Sequence, residues 1–246
     1  MSDMTTGDVL YLMQNGTVEL EGLLPWSSNY AFLVRVCDGP LELGAVYKPQ
    51  RGERPLWDFP QGSLCLRELA SFIVSEALTW HVVPPTVLRE AQHGLGTIQL
   101  FIDHDPARHY FTIEGDETYR LQLQKIALLD ILINNADRKA GHVLMQETGE
   151  IARLWGIDHG ICFHVDPKLR TVIWEFGGTP IPASLKNDME TFRNRLDDPT
   201  DSLSPALEGL LSAVEIEALR RRLGRLITRP NFPQPGAGRH YPWPPV

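Results

Sequence analysis

The chain has 246 residues, 43% of them hydrophobic and 22% charged, with 23 basic against 31 acidic side chains and a formal net charge of −8. That length suffices for one large domain or two lobes sharing a cleft, and the composition excludes wholesale disorder, collagen-like repeats and a disulfide-dense miniprotein. The acidic balance argues against counterion-release binding to nucleic acid and against a surface that seeks anionic membranes.

Taken in order, Val18 to Gly22 alternates apolar and polar residues, Leu23 to Asn29 reads as a turn, and Tyr30 to Val36 is apolar enough for a buried strand. Asp38-Gly-Pro40 marks a second turn. Leu41 to Lys48 closes a three-stranded meander that Pro49 ends, and Arg51 to Gly62 is a proline-broken loop. Leu66, Leu69, Ala70, Ile73, Ala77 and Leu78 share a helical face, with Ser63 as a plausible cap. Thr86 to Glu90 and Thr97 to Ile102 read as two further strands, the second central. The predicted order is βββαββ, a sheet with one helix across it.

From Glu117 the pattern turns helical, with Leu121, Leu128, Leu129, Leu132 and Ile133 on one stripe. Asn134 to Gly141 is a polar loop, and Glu147 to Glu150 a hairpin turn between Val143-Leu-Met and Ile151 to Ile157. Further helices are expected over Ala183 to Leu196, from a Ser204-Pro205 start, and after a Ser212-x-x-Glu215 capping box. The basic run Arg220-Arg221-Arg222 with Arg225 falls on that last helix and reads as a solvated face or a dipole partner. Arg229 to Val246, with six prolines and three aromatics, reads as an extended tail, laid on the surface or loose.

Cys37, Cys65 and Cys162 are scattered and lack CxxC or zinc-ligand spacing, so free thiols in a reducing cytoplasm are expected. The acidic, polar start lacks the basic flank and apolar run of a signal peptide. The apolar stretch Ile126 to Ile133 is too short to span a bilayer. A cytoplasmic protein without membrane insertion is the expectation.

Two acids flank the hairpin. Asp137 lies in the polar loop, with His142 five residues on, and Asp158 follows in Trp155-Gly-Ile-Asp-His-Gly160. In this order they can converge, one to orient a hydroxyl and the other to hold a divalent cation. Either acid alone better fits a turn residue bonding its own backbone, and only the two together, in this order, favour the cleft. Asp103-His104-Asp105 does not support a phosphohydrolase, because it follows a strand and meets Pro106. No GxSxG, Walker loop or HExxH occurs.

Asn-Ala-Asp137-Arg-Lys-Ala-Gly-His142 followed by Gly-Ile-Asp158-His-Gly160 resembles the catalytic and metal-binding loops of the phosphatidylinositol 3-/4-kinase-like superfamily, which includes HipA-type and Golgi casein-kinase-type atypical kinases. The family pattern is Asp-Arg-x-x-x-Asn and then Ile-Asp-x-Gly. The resemblance implies Asp137 as catalytic base and Asp158 as metal ligand, with His142 at the place of the usual Asn ligand. It also implies Lys48 at the end of the third strand as the phosphate-reaching lysine and Glu68 on the following helix as its partner, with Glu76 the lesser candidate. The segment Pro25-Trp-Ser-Ser-Asn-Tyr30 stands where a phosphate-covering loop would be, so Ser27, Ser28 and Asn29 are candidate phosphate contacts, or the segment is only a hairpin turn. Gln99-Leu-Phe101-Ile102 resembles the strand leading into an adenine-binding hinge.

The expected fold is therefore α+β, a bilobal protein-kinase-like architecture. It would have an N-lobe over residues 1–103, a helical C-lobe over 104–228 and a Pro-rich tail over 229–246. The expected activity is ATP-dependent phosphotransfer to a hydroxyl of a protein or small molecule, with ATP and Mg2+ or Mn2+ as cofactors. A nucleotide-binding pseudokinase, an adenylyl transferase and a lipid kinase are the alternatives. Between His159 and Lys186 only Lys168, Arg170 and Lys186 carry fixed positive charge, which places a lipid headgroup below the other acceptors. A His142 ligand titrating near its ordinary range would give metal-dependent nucleotide binding an acid limb near pH 6 and favour manganese.

Overall fold

A computed structural model describes residues 4–24 and 29–246. The predicted strands form one antiparallel sheet of β1 (Thr17–Leu23), β2 (Phe32–Asp38), β3 (Leu41–Pro49), β4 (Thr86–Ala91) and β5 (Gly94–Leu100), in the order β1-β2-β3-β5-β4. β5 lies inside the sheet, pairing with β3 as Lys48↔Thr97 and Pro49↔Gly96. A Cβ on Gly96 would stand 2.5 Å from the Lys48 carbonyl oxygen, so only glycine lets the two strands cross there.

Two helices cover this sheet, not one. The helix absent from the predicted order is α1 (Thr6–Asn15), started by a capping box in which the Thr5 hydroxyl accepts from Asp8 N–H and the Asp8 carboxylate accepts from Thr5 N–H. Its stripe is short, just Val9, Leu12 and Met13, and it packs on Val34, Val36, Tyr47 and Ile98. Strand side chains alternate, so Lys48, next to Tyr47, points to the other face. There lies α2 (Leu64–Ala77).

α2 is buried nearly all round, because it sits between the sheet and the helical lobe. Of its predicted face, Ala70, Ala77 and Leu78 are buried and Leu66, Leu69 and Ile73 half-buried, while Phe72 and Val74, off that face, are buried too. Ser63 does not cap the helix; its hydroxyl donates to the Pro60 carbonyl. Glu53 does so from eleven residues away, its carboxylate accepting from Leu64 N–H at 3.1 Å and Cys65 N–H at 2.8 Å.

The second lobe contains α3 (Tyr110–Ile113), α4 (Arg120–Ile133), the hairpin β6 (Val143–Gln146) and β7 (Arg153–Gly156), α5 (Ala183–Asp197), α6 (Leu203–Glu208) and α7 (Ala213–Thr228). Leu121, placed on the predicted stripe of α4, is exposed, whereas Leu128, Leu129, Leu132 and Ile133 are buried. α6 begins one residue before Ser204, so Pro205 is its third residue and not its first. The Ser212–Glu215 capping box of α7 forms as expected. Glu215 also pairs with buried Arg67 of α2, and Arg67 donates to the Cys162 carbonyl at 2.7 Å. The two lobes are thus joined through a helix cap.

The tail lies along the helical lobe. Phe232 is buried against Phe176, Thr171 N–H donates to the His240 carbonyl, and Ala140 N–H donates to the Pro245 carbonyl. No described helix is long and apolar enough to cross a membrane.

Candidate active site

α4 ends where the site begins. Asn134 adopts the left-handed conformation (φ 57°) that closes the helix, a region Asn tolerates better than most residues. Its side-chain amide donates to the carbonyls of His164 and Asp166 and accepts from Lys168 N–H, fixing the segment that follows the second acid. The next side chain, Asn135, accepts from Asp137 N–H at 3.0 Å and donates to Asp130 at 2.8 Å. Two consecutive asparagines therefore hold the Asp137 loop.

Arg138 fastens that loop to the Asp158 loop. Its guanidinium is fully buried and makes a forked pair with Asp130 at 2.9 and 3.0 Å. It also donates to the carbonyls of His142 (3.0 Å) and Ile157 (2.7 Å), and its Nη2 lies 2.6 Å from His159 Nε2. Asp130, which interrupts the apolar pattern of α4, is there to receive this arginine. A buried acid inside an apolar helix was the one sequence signal for it.

Lys48 reaches across the cleft. Its Nζ lies 2.6 Å from Glu68 of α2 and 3.2 Å from Asp158, pairs separated by 20 and 110 residues. Burial opposes its charge, but Glu68 and Asp158 outweigh that and hold the ammonium above its ordinary pKa. The Asp158 carboxyl is likewise disfavoured by burial, yet Lys48 and His142 keep it well below the usual carboxylate range. Glu76, the other candidate partner, instead lies 2.8 Å from His81 at the far end of α2.

Asp137 behaves in the opposite way. Burial pushes its carboxyl pKa up, Lys139 at 3.5 Å pulls it down, and the Asp158 charge pushes it up again, with a net rise. Two acids facing one cleft are thereby shifted in opposite directions, Asp158 down and Asp137 up.

His142 Nε2 is 3.4 Å from Asp158 Oδ2, and Lys139 N–H approaches its Nδ1 at 3.4 Å. With Nδ1 accepting from Lys139 N–H, a neutral ring carries its proton on Nε2, facing Asp158; metal ligation through Nε2 would require the other tautomer. Burial pushes the ring down to about 4, so an acid limb near pH 6 does not follow from this imidazole. Among the described residues no group of three or more His, Cys, Asp or Glu side chains gathers as a metal cluster. One carboxylate and one neighbouring donor still fit a magnesium-type ion that completes its shell with phosphate oxygens and water.

A cavity of about 240 Å³ is lined by Asn29, Lys48, Glu68, Asp137 and Asp158 among others. Asn29 Oδ1 accepts from Arg54 N–H at 2.8 Å, while Ser27 and Ser28 lie outside the described residues. Gln99, Phe101 and Ile102 do not line this cavity. The Gln99 side chain is buried and donates to Thr86 Oγ1, and Phe101 is partly exposed. Ile102 packs with Leu144 and Trp155, next to Ile157, and its carbonyl accepts from His104 Nδ1. Ile157 of this apolar group directly precedes Asp158 in the chain. The loop after β3, whose Glu53, Arg54 and Leu56 line the cavity, reaches the other lobe through Asp58–Lys168 at 2.7 Å.

His159 is buried and neutral, because burial and the adjacent Arg138 and Lys48 charges push it well below its ordinary value. Its folded pKa is thus below its unfolded pKa, so its contribution to stability is complete above about pH 6.5 and is lost on acidification at up to about 1.4 kcal/mol per pH unit. Urea unfolding between about pH 7 and 5 is expected to show this loss, and His159→Gln to flatten the profile. An unchanged slope in the variant would remove His159 as its source.

A family model for phosphatidylinositol 3- and 4-kinase matches residues 88–194. Protein Rv2133c of Mycobacterium tuberculosis is 36% identical over 95% of this chain and 94% of that protein. Phosphatidylinositol 4-kinase gamma 4 of Oryza sativa subsp. japonica is 34% identical over 41% of the chain, which spans only 20% of that protein's length. Among solved structures, hydra Fam20 with sugar superposes with a TM-score of 0.66 at 15% identity, over 90% of this chain and 86% of that one. The Golgi casein kinase with Mn/ADP bound gives 0.63 at 17% identity, over 91% and 74%. At those identities the likeness shows the fold, a bilobal atypical kinase.

Proposed function

Because this chain belongs to the phosphatidylinositol 3-/4-kinase-like superfamily of atypical kinases, we propose that it is an ATP-dependent phosphotransferase acting on a hydroxyl of a protein or small molecule. The observation that carries this reading is the convergence of Lys48, Glu68 and Asp158 at 2.6 and 3.2 Å in one cleft with Asp137. Each is a type of group that phosphoryl transfer needs at that place.

Lys48, held by Glu68, supplies fixed positive charge for the phosphates. Asp158, with His142 beside it, would hold a Mg2+ or Mn2+ ion, which when bound neutralises phosphate charge. Asp137 accepts a hydrogen bond from the acceptor hydroxyl, orients it for in-line attack and takes its proton. Its raised pKa suits that task better than an ordinary surface carboxylate would. Asn29 at the cavity wall and the apolar group of Ile102, Leu144 and Trp155 are the proposed phosphate and base contacts. Ser27 and Ser28 remain candidates for the phosphates, and Phe101 and the backbone beyond Gln99 for the base. A cytoplasmic location accords with the free thiols of Cys37, Cys65 and Cys162.

The test incubates the purified chain with ATP labelled at the γ- or α-phosphate, with Mn2+ or Mg2+, and follows label entering protein or water. Transfer from the γ-position, lost in Asp137→Asn, is the expected result. Label arriving from the α-position would assign adenylyl transfer. Metal-dependent binding without turnover, unchanged in Asp137→Asn, would assign a pseudokinase.

His142→Asn tests the metal ligand separately. If His142 ligates, nucleotide affinity measured by fluorescent-ATP titration favours Mn2+ over Mg2+ in the natural chain, and the variant shifts that ratio toward Mg2+. An unchanged ratio leaves His142 as a neighbour of Asp158 that does not ligate the metal.

A further inference from the structure

Behind the Asp137 loop is a second cavity of about 710 Å³, bounded by α7, residues 165–174 and the tail near residues 233–240. Its walls carry seven lysine and arginine side chains and no Asp or Glu, in a chain whose net charge is −8. The three cations between His159 and Lys186 gave no hint of this density; α7 and the tail supply the rest.

Few of these charges are neutralised. Lys168 pairs with Asp58, and Arg221 lies 3.7 Å from Glu217. The side chains of Arg170, Arg225, Arg229 and Arg239 have no hydrogen-bond or ion-pair partner among the described residues. Arg222 donates to the carbonyls of Leu132 and His164, yet its Nη2 is buried without a partner, as is Nε2 of His240. Burial first, then the neighbouring Arg221 and Arg225 charges, push the Arg222 guanidinium down to about 10. Like charges confined together with unused donors are stabilised by a multiply charged anion.

We propose that this cavity binds a soluble small molecule carrying clustered phosphate groups. Its volume falls in the range of small-ligand sites. The cations come from three separate segments around a hollow, not along a stripe, which suits a compact polyanion better than an extended nucleic-acid backbone. Arg170 connects the cavity to the first site, since its backbone bonds to Asn135 and Arg138 on either side of Asp137. The tail also closes the cavity, so a bound anion would tie Arg225 and Arg229 to Arg239 and hold the tail down.

The site is tested without reference to phosphotransfer. Inorganic tripolyphosphate is titrated calorimetrically into the full chain in EDTA, where metal-dependent binding at the Lys48 cleft is suppressed. Saturable binding is expected, steeply weakened by salt, raising Tm, and retained in Lys48→Met. The combined variant Arg225→Gln, Arg229→Gln and Arg239→Gln removes side chains with no internal partner, so it is expected to keep its ligand-free Tm. It should bind at least about tenfold more weakly for each charge-assisted bond lost. Absence of binding, or binding lost in Lys48→Met but kept in the arginine variant, would overturn the proposal. So would binding confined to phosphatidylcholine vesicles containing phosphatidylinositol phosphate, or tighter binding of a single-stranded oligonucleotide through the same arginines.

Discussion

Arg138→Met is expected to lower the free energy of unfolding by about 3–5 kcal/mol, the loss typical of breaking a buried ion pair from one side. The substitution strands Asp130, which is fully buried and whose two oxygens both accept from this guanidinium. It also removes a donor from the Ile157 carbonyl and one of two donors from the His142 carbonyl, which keeps the Ile157 N–H at 3.0 Å. Asp130→Asn is expected to cost less, since an amide keeps one acceptor. The double variant Asp130→Leu, Arg138→Met should recover part of the loss, because neither charge then remains buried alone. Urea unfolding followed by circular dichroism measures all three. A loss below about 1 kcal/mol in Arg138→Met would show that the pair is not the fastening between the two loops.

Asp137→Asn is expected to lower the rate of γ-phosphoryl transfer by about 10²–10⁴-fold while leaving nucleotide affinity within about twofold. The amide keeps the shape and the 3.0 Å bond from its own N–H to Asn135 but cannot take a proton. Asp158→Asn should do the reverse, abolishing metal-dependent nucleotide binding, because it removes the carboxylate that Lys48 and His142 hold ionised. The raised pKa of Asp137 moves its acid limb upward from that of an unperturbed aspartate, so kcat should fall as pH drops through that limb, and Asp137→Asn should erase it. Comparable loss of binding in both variants would mean that the two acids share one role.

Local patterns carried much of the fold. Alternation in β1 and apolar runs bounded by turn signals mark the strands, the Ser212-x-x-Glu215 box starts α7, and Asp137 and Asp158 flank a hairpin read from Glu147 to Glu150. Such signals are legible because the interacting residues lie within one turn or one hairpin of each other. α1 escaped because a stripe of three side chains is too short to stand out beside a polar start. The predicted face of α2 was incomplete for another reason: a helix enclosed on several sides buries residues beyond any single apolar face, here Phe72 and Val74.

What only the tertiary structure decided is long-range polar pairing. Glu53, not Ser63, caps α2; Arg138 finds Asp130 and His159; Lys48 meets Asp158 across 110 residues; and arginines of α7 and the tail gather around one cavity. A charged residue has the same local signature whether solvated or buried, so local pattern alone is silent about such partners; only the family resemblance names one long-range pair, Lys48–Glu68. Those partners are set when packing removes water and every buried donor and charge must find its counterpart.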